Sequence, residues 1–443
     1  MSTEARQITP NPDHVIMRAW RGILWDRISL LERTGSRHPY IVSSTLGKRE
    51  LILINKPEYI YEVLVAQADK FHKSPLFRKY TSPLLGNGLL LSEDEDHRRN
   101  RKLVAPAFVH RRIPEYAKVM AEYTERVMNE WQDGSVIDIA SEMMRITLAI
   151  AGKTLFGSEV SGEADEVKEK LLFLNHYAEE QLRVPFPIPF TWPTPRNARV
   201  RKAIASLDAI IYRMIAERRT SQEDRGDLLS MLLLARDEDD GTGMTDKQVR
   251  DEAMTIFLAG HETTGNGTSW MWYLLAKHPE VLNRLHQEVS GVDNILGQLQ
   301  SLPYALQVFK EALRLYPPAY MIVRTAKEEV WVDGYRIRPD AAVMVSAYLL
   351  HRKEEYFHDP LTFDPERFSH ENESSIPRYA YLPFAAGPRV CIGNQFALME
   401  GQIIAATIAK KFSFELVSNA PQEMEPLITL RPKGGVEVRV RRR

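Results

Sequence analysis

One cysteine, Cys391, serves a chain of 443 residues, so no internal disulfide can form. That usage suits a reducing compartment, and a cytoplasmic location is expected. Long apolar runs are also missing. Stretches such as VMVSAYLL (343–350) fall far short of the roughly 20 residues a membrane-spanning helix needs. The polar opening MSTEARQITPNPDHVIMRAW lacks the apolar centre of a signal peptide, so no membrane anchor is expected. Charge of one sign is scarce: the formal net charge is −1, and no whole-protein field attracts nucleic acid. No internal repeat is visible. No Gly-x-Gly-x-x-Gly follows a strand-like run, which argues against a fused flavin or nicotinamide domain. HETTG (261–265) is not a zinc site of the His-Glu-x-x-His kind, because its fifth residue is Gly265.

What is present is mostly helical pattern. IPEYAKVMAEYTERVMNEWQ and RKAIASLDAIIYRMIAERR carry apolar residues at helical spacing. YIVSSTL, ELILI, VWVDGYRIRP and VEVRV alternate as short strands. The expectation is a mainly α fold with small β-sheets and no regular βαβ alternation. DEDDGTG (237–243) reads as an acidic loop. VPFPIPFTWPTP (184–195) has five prolines and reads as an irregular segment laid on something apolar.

Four segments carry chemistry. FAAGPRVCIG (384–393) sets Cys391 between Gly387 and Gly393, ahead of an amphipathic run starting GNQFALMEG. The glycines are expected to free the backbone so that amides point at the sulfur, and the following helix dipole to favour a thiolate. Phe384 is placed to shield the sulfur and Arg389 to meet an anion. Thr245 and Gln248 form a capping-box pattern opening a helix of some thirty residues that ends before Pro279. Gly260, Gly265 and Gly267 interrupt it, each costing about 1 kcal/mol against alanine, so something is expected to approach its backbone. Glu262 and Thr263 lie beside Gly260 as a proton-handling acid and alcohol. EALR puts Glu311 and Arg314 on one helical face, and PERF supplies Arg367. DHRRNRKLVAPAF puts His97 and Arg101 on one face, with Arg98, Arg99 and Lys102 on others; such a basic helix suits a phosphate, an acidic protein or an anionic cofactor group.

In this order and spacing the segments resemble the cytochrome P-450 family of haem-thiolate monooxygenases. The cysteine loop matches Phe-x-x-Gly-x-Arg-x-Cys-x-Gly at every fixed position, and AGHETT, EALR and PERF match the family's other motifs. The resemblance implies one triangular cytochrome P-450 domain over residues 1–443, with no fused reductase. It implies haem b, with Cys391 as axial iron ligand, Thr263 and Glu262 as the oxygen-activating pair, and Gly260 in the dioxygen groove. His97, Arg101, Arg324 and Arg389 fall where relatives hold the haem propionates, His97 standing where many relatives carry tryptophan. Glu311, Arg314 and Arg367 would form a buried structural triad.

The activity implied is insertion of one oxygen atom of O2 into an apolar substrate: a fatty acid, terpenoid or polyketide. Electrons would come from NAD(P)H through a separate ferredoxin and ferredoxin reductase, docking by way of Arg98, Arg99 and Lys102. The pocket would be lined by SPLLGNGLLL (82–91), residues 174–190, Phe257 to Ala259, AYMIV (319–323) and PLITL (426–430). Lys48 or Arg49 is a candidate anchor for a fatty-acid carboxylate. Two other functions fit parts of the pattern: a peroxide-driven peroxygenase, whose dedicated forms lack the Glu262–Thr263 pair, and a haem-based gas sensor or carrier, which needs neither that pair nor a large apolar pocket.

Overall fold

Residues 27–38, 40–46, 49–108, 113–157, 164–183, 188–221 and 224–443 are described by a computed structural model. Helices predominate among them, with four small sheets. The helices that position the site are α1 (Asp94–Val104), α2 (Ile139–Phe156), α3 (Asp246–Lys277), α4 (Pro303–Leu315) and α5 (Asn394–Ala409). The strands that bear on the site are β1 (Ile41–Leu46), β2 (Arg49–Ile54), β3 (Phe71–Lys73), β4 (Ile322–Ala326), β5 (Ala342–Val345), β6 (Met424–Pro426) and β7 (Leu430–Pro432). The largest sheet runs β1-β2-β5-β4-β3, with β2 and β5 parallel and the other neighbours antiparallel. Its β3–β4 register sets Lys73 opposite Arg324, joining two cations from distant parts of the chain.

The 32-residue α3 is the spine. The Thr245 hydroxyl accepts from the Gln248 amide at 3.3 Å, and the Gln248 carboxamide oxygen accepts from the Thr245 amide at 2.9 Å, so the expected capping box forms. Two separate cores bury the two ends of this helix. Val249, Met254, Phe257 and Leu258 pack with Leu84, Leu103, Ile204 and Leu232. Trp270, Trp272 and Leu275 pack with Ile146, Val308, Ile403 and Phe414. Between them Ala259 is exposed and Gly260, Glu262 and Thr263 are half-buried, so the middle of the helix fills neither core.

The three glycines of α3 divide into two kinds. A Cβ on Gly265 would lie 2.3 Å from the Met144 sulfur and 2.9 Å from the Thr147 hydroxyl, and one on Gly267 would lie 3.0 Å from Leu313. These two let α2 and α4 close against α3, so their cost in helix propensity is offset by packing. Only at Gly260 would a Cβ meet nothing within 4 Å. The expected close approach to the backbone is therefore made by neighbouring helices at Gly265 and Gly267, whereas Gly260 borders open space among the described residues.

A matched pair of variants tests this division. Gly260→Ala should stabilise the haem-free fold by up to about 1 kcal/mol through helix propensity. Gly401→Ala, whose Cβ would sit 2.2 Å from the Phe309 ring, should destabilise by about 1–3 kcal/mol through overpacking. Urea denaturation measures both; equal and opposite signs to these would show that the packing assignment is reversed.

Candidate active site

The Cys391 loop lies at the seam between the two cores. Phe384 packs on the cluster holding the C-terminal half of α3, and Ile392 on the cluster holding its N-terminal half. The loop is tightened from within: the Cys391 amide donates to the Phe384 carbonyl at 3.0 Å and the Val390 amide to the Gly387 carbonyl at 3.0 Å. Gly387 has φ +71°, and a Cβ there would fall 1.9 Å from the Leu64 carbonyl oxygen, so only glycine fits. Gly393 is different. Its φ of −92° is ordinary, and a Cβ would touch only the Phe108 ring, at 3.6 Å. The conformational need expected of both glycines is real for Gly387 only; Gly393 contributes an amide hydrogen bond to the sulfur.

The sulfur is reachable from solvent but otherwise surrounded by protein. Burial pushes the thiol above its ordinary value, against the Gly393 amide and the Arg101 charge, which pull it down. The helix dipole expected to favour a thiolate does not win this balance: α5 begins at Asn394 and Gly393 is its cap, so Cys391 stands outside the first turn. A coordinating metal deprotonates a thiol outright, so a bound cation would complete what the loop begins.

Positive charge collects beside this loop. Arg389 donates to the Ser92 carbonyl at 2.6 Å and pairs with Glu93. Arg101 donates to the Val390 carbonyl at 2.9 Å and so ties α1 to the cysteine loop. Arg324 is held down to about 10, first by burial and then by Arg389. His97, buried among them, is held down to about 3, by burial first and then by Arg389, Lys73, Arg101 and Arg324; its imidazole is neutral. Lys73, which the sequence reading missed, is pushed down to about 7 by burial, with Arg389 and Arg324 adding to the effect. Glu93 is the carboxylate inside this cluster, and the exposed Asp94 is engaged by Lys327. Basic side chains in this excess over the partly buried Glu93 are costly unless an anion joins them. A ligand with two carboxylates next to a thiolate-binding metal fits this donor set, and the propionates of a haem answer to that description.

On α3 the Thr263 hydroxyl donates to the Ala259 carbonyl at 2.7 Å, which leaves its lone pairs free to accept a proton-bearing atom. Glu262 accepts from the Thr429 hydroxyl at 2.7 Å. His261 is buried, and its ring N–H donates to the Phe257 carbonyl at 2.8 Å, so it takes no part in the opening. Thr264 hydrogen-bonds to Glu400 of α5, a carboxyl that burial pushes up to about 8.

Below the loop, Glu311 and Arg314 are fully buried and bidentate, at 2.7 and 2.8 Å. Arg314 also donates to the carbonyls of His351, Pro360 and Thr362, and Arg367 reaches Glu311 at 3.3 Å. The triad expected from EALR and PERF is thus assembled. His351 extends it: its Nδ1–H donates to the Arg314 carbonyl and its Nε2 accepts from the Leu382 amide at 2.8 Å, two residues before Phe384. No motif marked His351 in advance.

Two sets of candidate contact residues are already engaged. Arg98, Arg99 and Lys102 are not a free basic face, because Arg98 pairs with Glu95, Arg99 with Asp237 at 3.2 Å and Lys102 with Asp239 at 2.8 Å. The acidic loop and the basic helix, read separately in the sequence, neutralise each other. Arg49 donates to Thr325 at 2.9 Å and to the Asp340 carbonyl at 3.3 Å, which commits it to the sheet rather than to a ligand carboxylate. Lys48 and residues 184–187 lie outside the described residues. The segment 82–91 packs Leu84, Leu85, Leu89 and Leu91 inward, and α3 holds it through Asp251 to the Asn87 amide (3.0 Å) and Glu252 to the Leu89 amide (2.9 Å). Among the described residues no helix is long and apolar enough to cross a membrane.

Comparison with known proteins agrees with this arrangement. A family model described as cytochrome P-450 matches residues 20–438. Cyclooctatin synthase of Streptomyces melanosporofaciens is 35% identical over 89% of this chain and 87% of its own. Cyclooctat-9-en-7-ol 5-monooxygenase from the same organism is 36% identical over 88% and 85%. Pentalenene oxygenase of Streptomyces avermitilis is 30% identical over 89% and 88%. Among solved structures, the heme domain of cytochrome P450DA superposes with a TM-score of 0.90 at 25% identity, covering 99% of this chain and 98% of that one.

Two outcomes follow from the buried charges. Arg314→Ala strands Glu311 and should cost about 3–5 kcal/mol, yielding little haem-loaded protein; normal loading with lost turnover would contradict the structural role. For Lys73, the folded chain sheds a proton that the unfolded chain keeps between about pH 7 and the ordinary 10.5. Stability of the haem-free protein should therefore rise with pH across that window and be lost as pH falls through it toward 7. Lys73→Met should flatten this rise in denaturant titrations and weaken haem retention at once. An unchanged slope would remove Lys73 from the cluster.

Proposed function

Because the chain belongs to the cytochrome P-450 family and is a monooxygenase, we propose that its substrate is a cyclic terpenoid, hydroxylated on the hydrocarbon skeleton. The observation that carries the reading is the juxtaposition at the core seam of one accessible cysteine with four basic side chains gathered near Glu93. Cys391 would ligate the haem iron in this reading. Arg101, Arg324, Arg389 and Lys73 would hold the propionates, with His97 packed among them, and Phe384 would screen the sulfur. When bound, the haem activates dioxygen, and electron donation from the thiolate favours O–O cleavage. The protein's own part is to hold and move protons. Thr263 accepts through lone pairs freed by its bond to Ala259, Glu262 supplies the exchangeable proton, and Gly260 leaves room beside both.

The terpenoid assignment draws on the activities for which the similar Streptomyces proteins are named: a cyclooctatin synthase, a cyclooctat-9-en-7-ol 5-monooxygenase and a pentalenene oxygenase. It draws also on the commitment of Arg49 to the sheet, which removes one anchor a fatty acid would use. A single catalytic domain working in the cytoplasm is proposed. Its electrons come from NAD(P)H through a separate ferredoxin and ferredoxin reductase, since no dinucleotide fingerprint occurs in the sequence.

Reconstitution with a bacterial ferredoxin and its reductase, NAD(P)H, and a panel of cyclic diterpenes, sesquiterpenes and fatty acids tests the reading. A hydroxylated terpenoid is the expected product. Product from fatty acids alone would overturn the substrate class, and equal turnover with peroxide alone would favour the peroxygenase. Proton-transfer residues contribute roughly 10²–10⁴-fold, so Thr263→Ala should cut product by at least about tenfold while NAD(P)H consumption continues and peroxide accumulates.

A further inference from the structure

Three residues of α3 hold the β6–β7 hairpin. Glu262, Asn266 and Trp270 are spaced by four and so share one helical face. Thr429, in the turn between β6 and β7, is buried, as are Asn266 and Trp270. The Thr429 hydroxyl donates to the Glu262 carboxylate at 2.7 Å and accepts from the Asn266 amide nitrogen at 3.0 Å. The Trp270 indole N–H donates to the Leu430 carbonyl at 3.2 Å. From the other side the Leu430 amide donates to the Pro318 carbonyl at 2.9 Å, so the turn is fixed at both flanks.

A hydroxyl has one proton, and Thr429 spends it on Glu262. Asn266 meets the lone pair left over, so the amide, the hydroxyl and the carboxylate form a chain with one direction. Hydrogen bonds to an ionised acceptor are shorter and roughly twice as strong as neutral ones. The hairpin carries Leu427 and Ile428 immediately before Thr429, and the Tyr320 hydroxyl donates to the Leu427 carbonyl at 3.0 Å. The carboxylate next to Thr263 is thus held by a turn whose neighbouring side chains are apolar.

We infer that Thr429 is a positioning residue for oxygen activation: it holds the Glu262 carboxylate in the orientation from which a proton taken up from solvent passes to the Thr263 side of α3. The inference rests on the proton role given above to Glu262. It assigns work to a residue outside the α3 motif, on a segment that was read only as apolar lining.

The test compares Thr429→Val, Thr429→Ser and Glu262→Gln with the double variant Thr429→Val/Glu262→Gln. Losing a hydrogen bond to a charged group changes the population of the held orientation by roughly tenfold or more. Thr429→Val should therefore lower product per NAD(P)H by about tenfold and raise peroxide correspondingly, while Thr429→Ser restores both. In the Glu262→Gln background the Val substitution should add nothing, because coupled sites are non-additive. A second readout is independent of turnover. In infrared difference spectra of the carbon monoxide-inhibited protein on acidification, the carboxyl band that Glu262→Gln abolishes should move to higher wavenumber in Thr429→Val and return in Thr429→Ser. If Glu262→Gln leaves coupling intact, both the acid's role and the inference fall. If Glu262→Gln uncouples but Thr429→Val does not, or if the two effects add, the inference alone falls.

Discussion

Lys73, Arg101, Arg324 and Arg389 come from a strand edge, a helix, a second strand and the cysteine loop, and they converge near Glu93, with Asp94 and Arg78 at the margin. Their mutual repulsion and burial are unfavourable, which is why Lys73 is driven to about 7 and Arg324 to about 10. The β3–β4 register, the bond from Arg101 to Val390 and the bond from Arg389 to Ser92 keep them together despite that cost. Such an arrangement persists when an anion offsets it. The same bonds fix the cysteine loop, so the charge cluster and the sulfur are one construction.

Rigidity for this construction is supplied from the opposite side. Glu311 and Arg314, with no solvent contact, satisfy each other and five further backbone or side-chain groups, and His351 relays that order to Leu382. Above, α3 is clamped in two cores and left unpacked at Ala259–Thr263. A helix buried along its whole length would leave no opening there, and one buried at a single end would not hold Thr263 in place.

Most of the site's identity was legible because its residues sit in short motifs whose spacing is local. The cysteine loop, the capping box at Thr245 and the pairing of Glu311 with Arg314 depend on residues within about ten positions of one another. What stayed hidden depends on distant chain segments. Lys73 matters only because β3 pairs with β4, and Thr429 only because a C-terminal turn lies along α3. The basic helix was misjudged for the same reason: its partners Asp237 and Asp239 stand some 140 positions away. The glycines show the limit within a motif, since Gly387 and Gly393 look alike in sequence, and only at the first would a Cβ fall 1.9 Å from a carbonyl oxygen. The largest sheet joins strands from both ends of the chain, and alternation in a strand does not name its neighbour.

The central claim is that the thiol of Cys391, raised by its surroundings, becomes a thiolate when it ligates haem iron. The absorption spectrum of the reduced, haem-loaded protein with carbon monoxide tests it most directly. Thiolate ligation gives a strongly red-shifted Soret band, and Cys391→Ser should abolish that band while the protein remains folded. A Soret band of the histidine-ligated kind from intact wild-type protein would contradict the assignment.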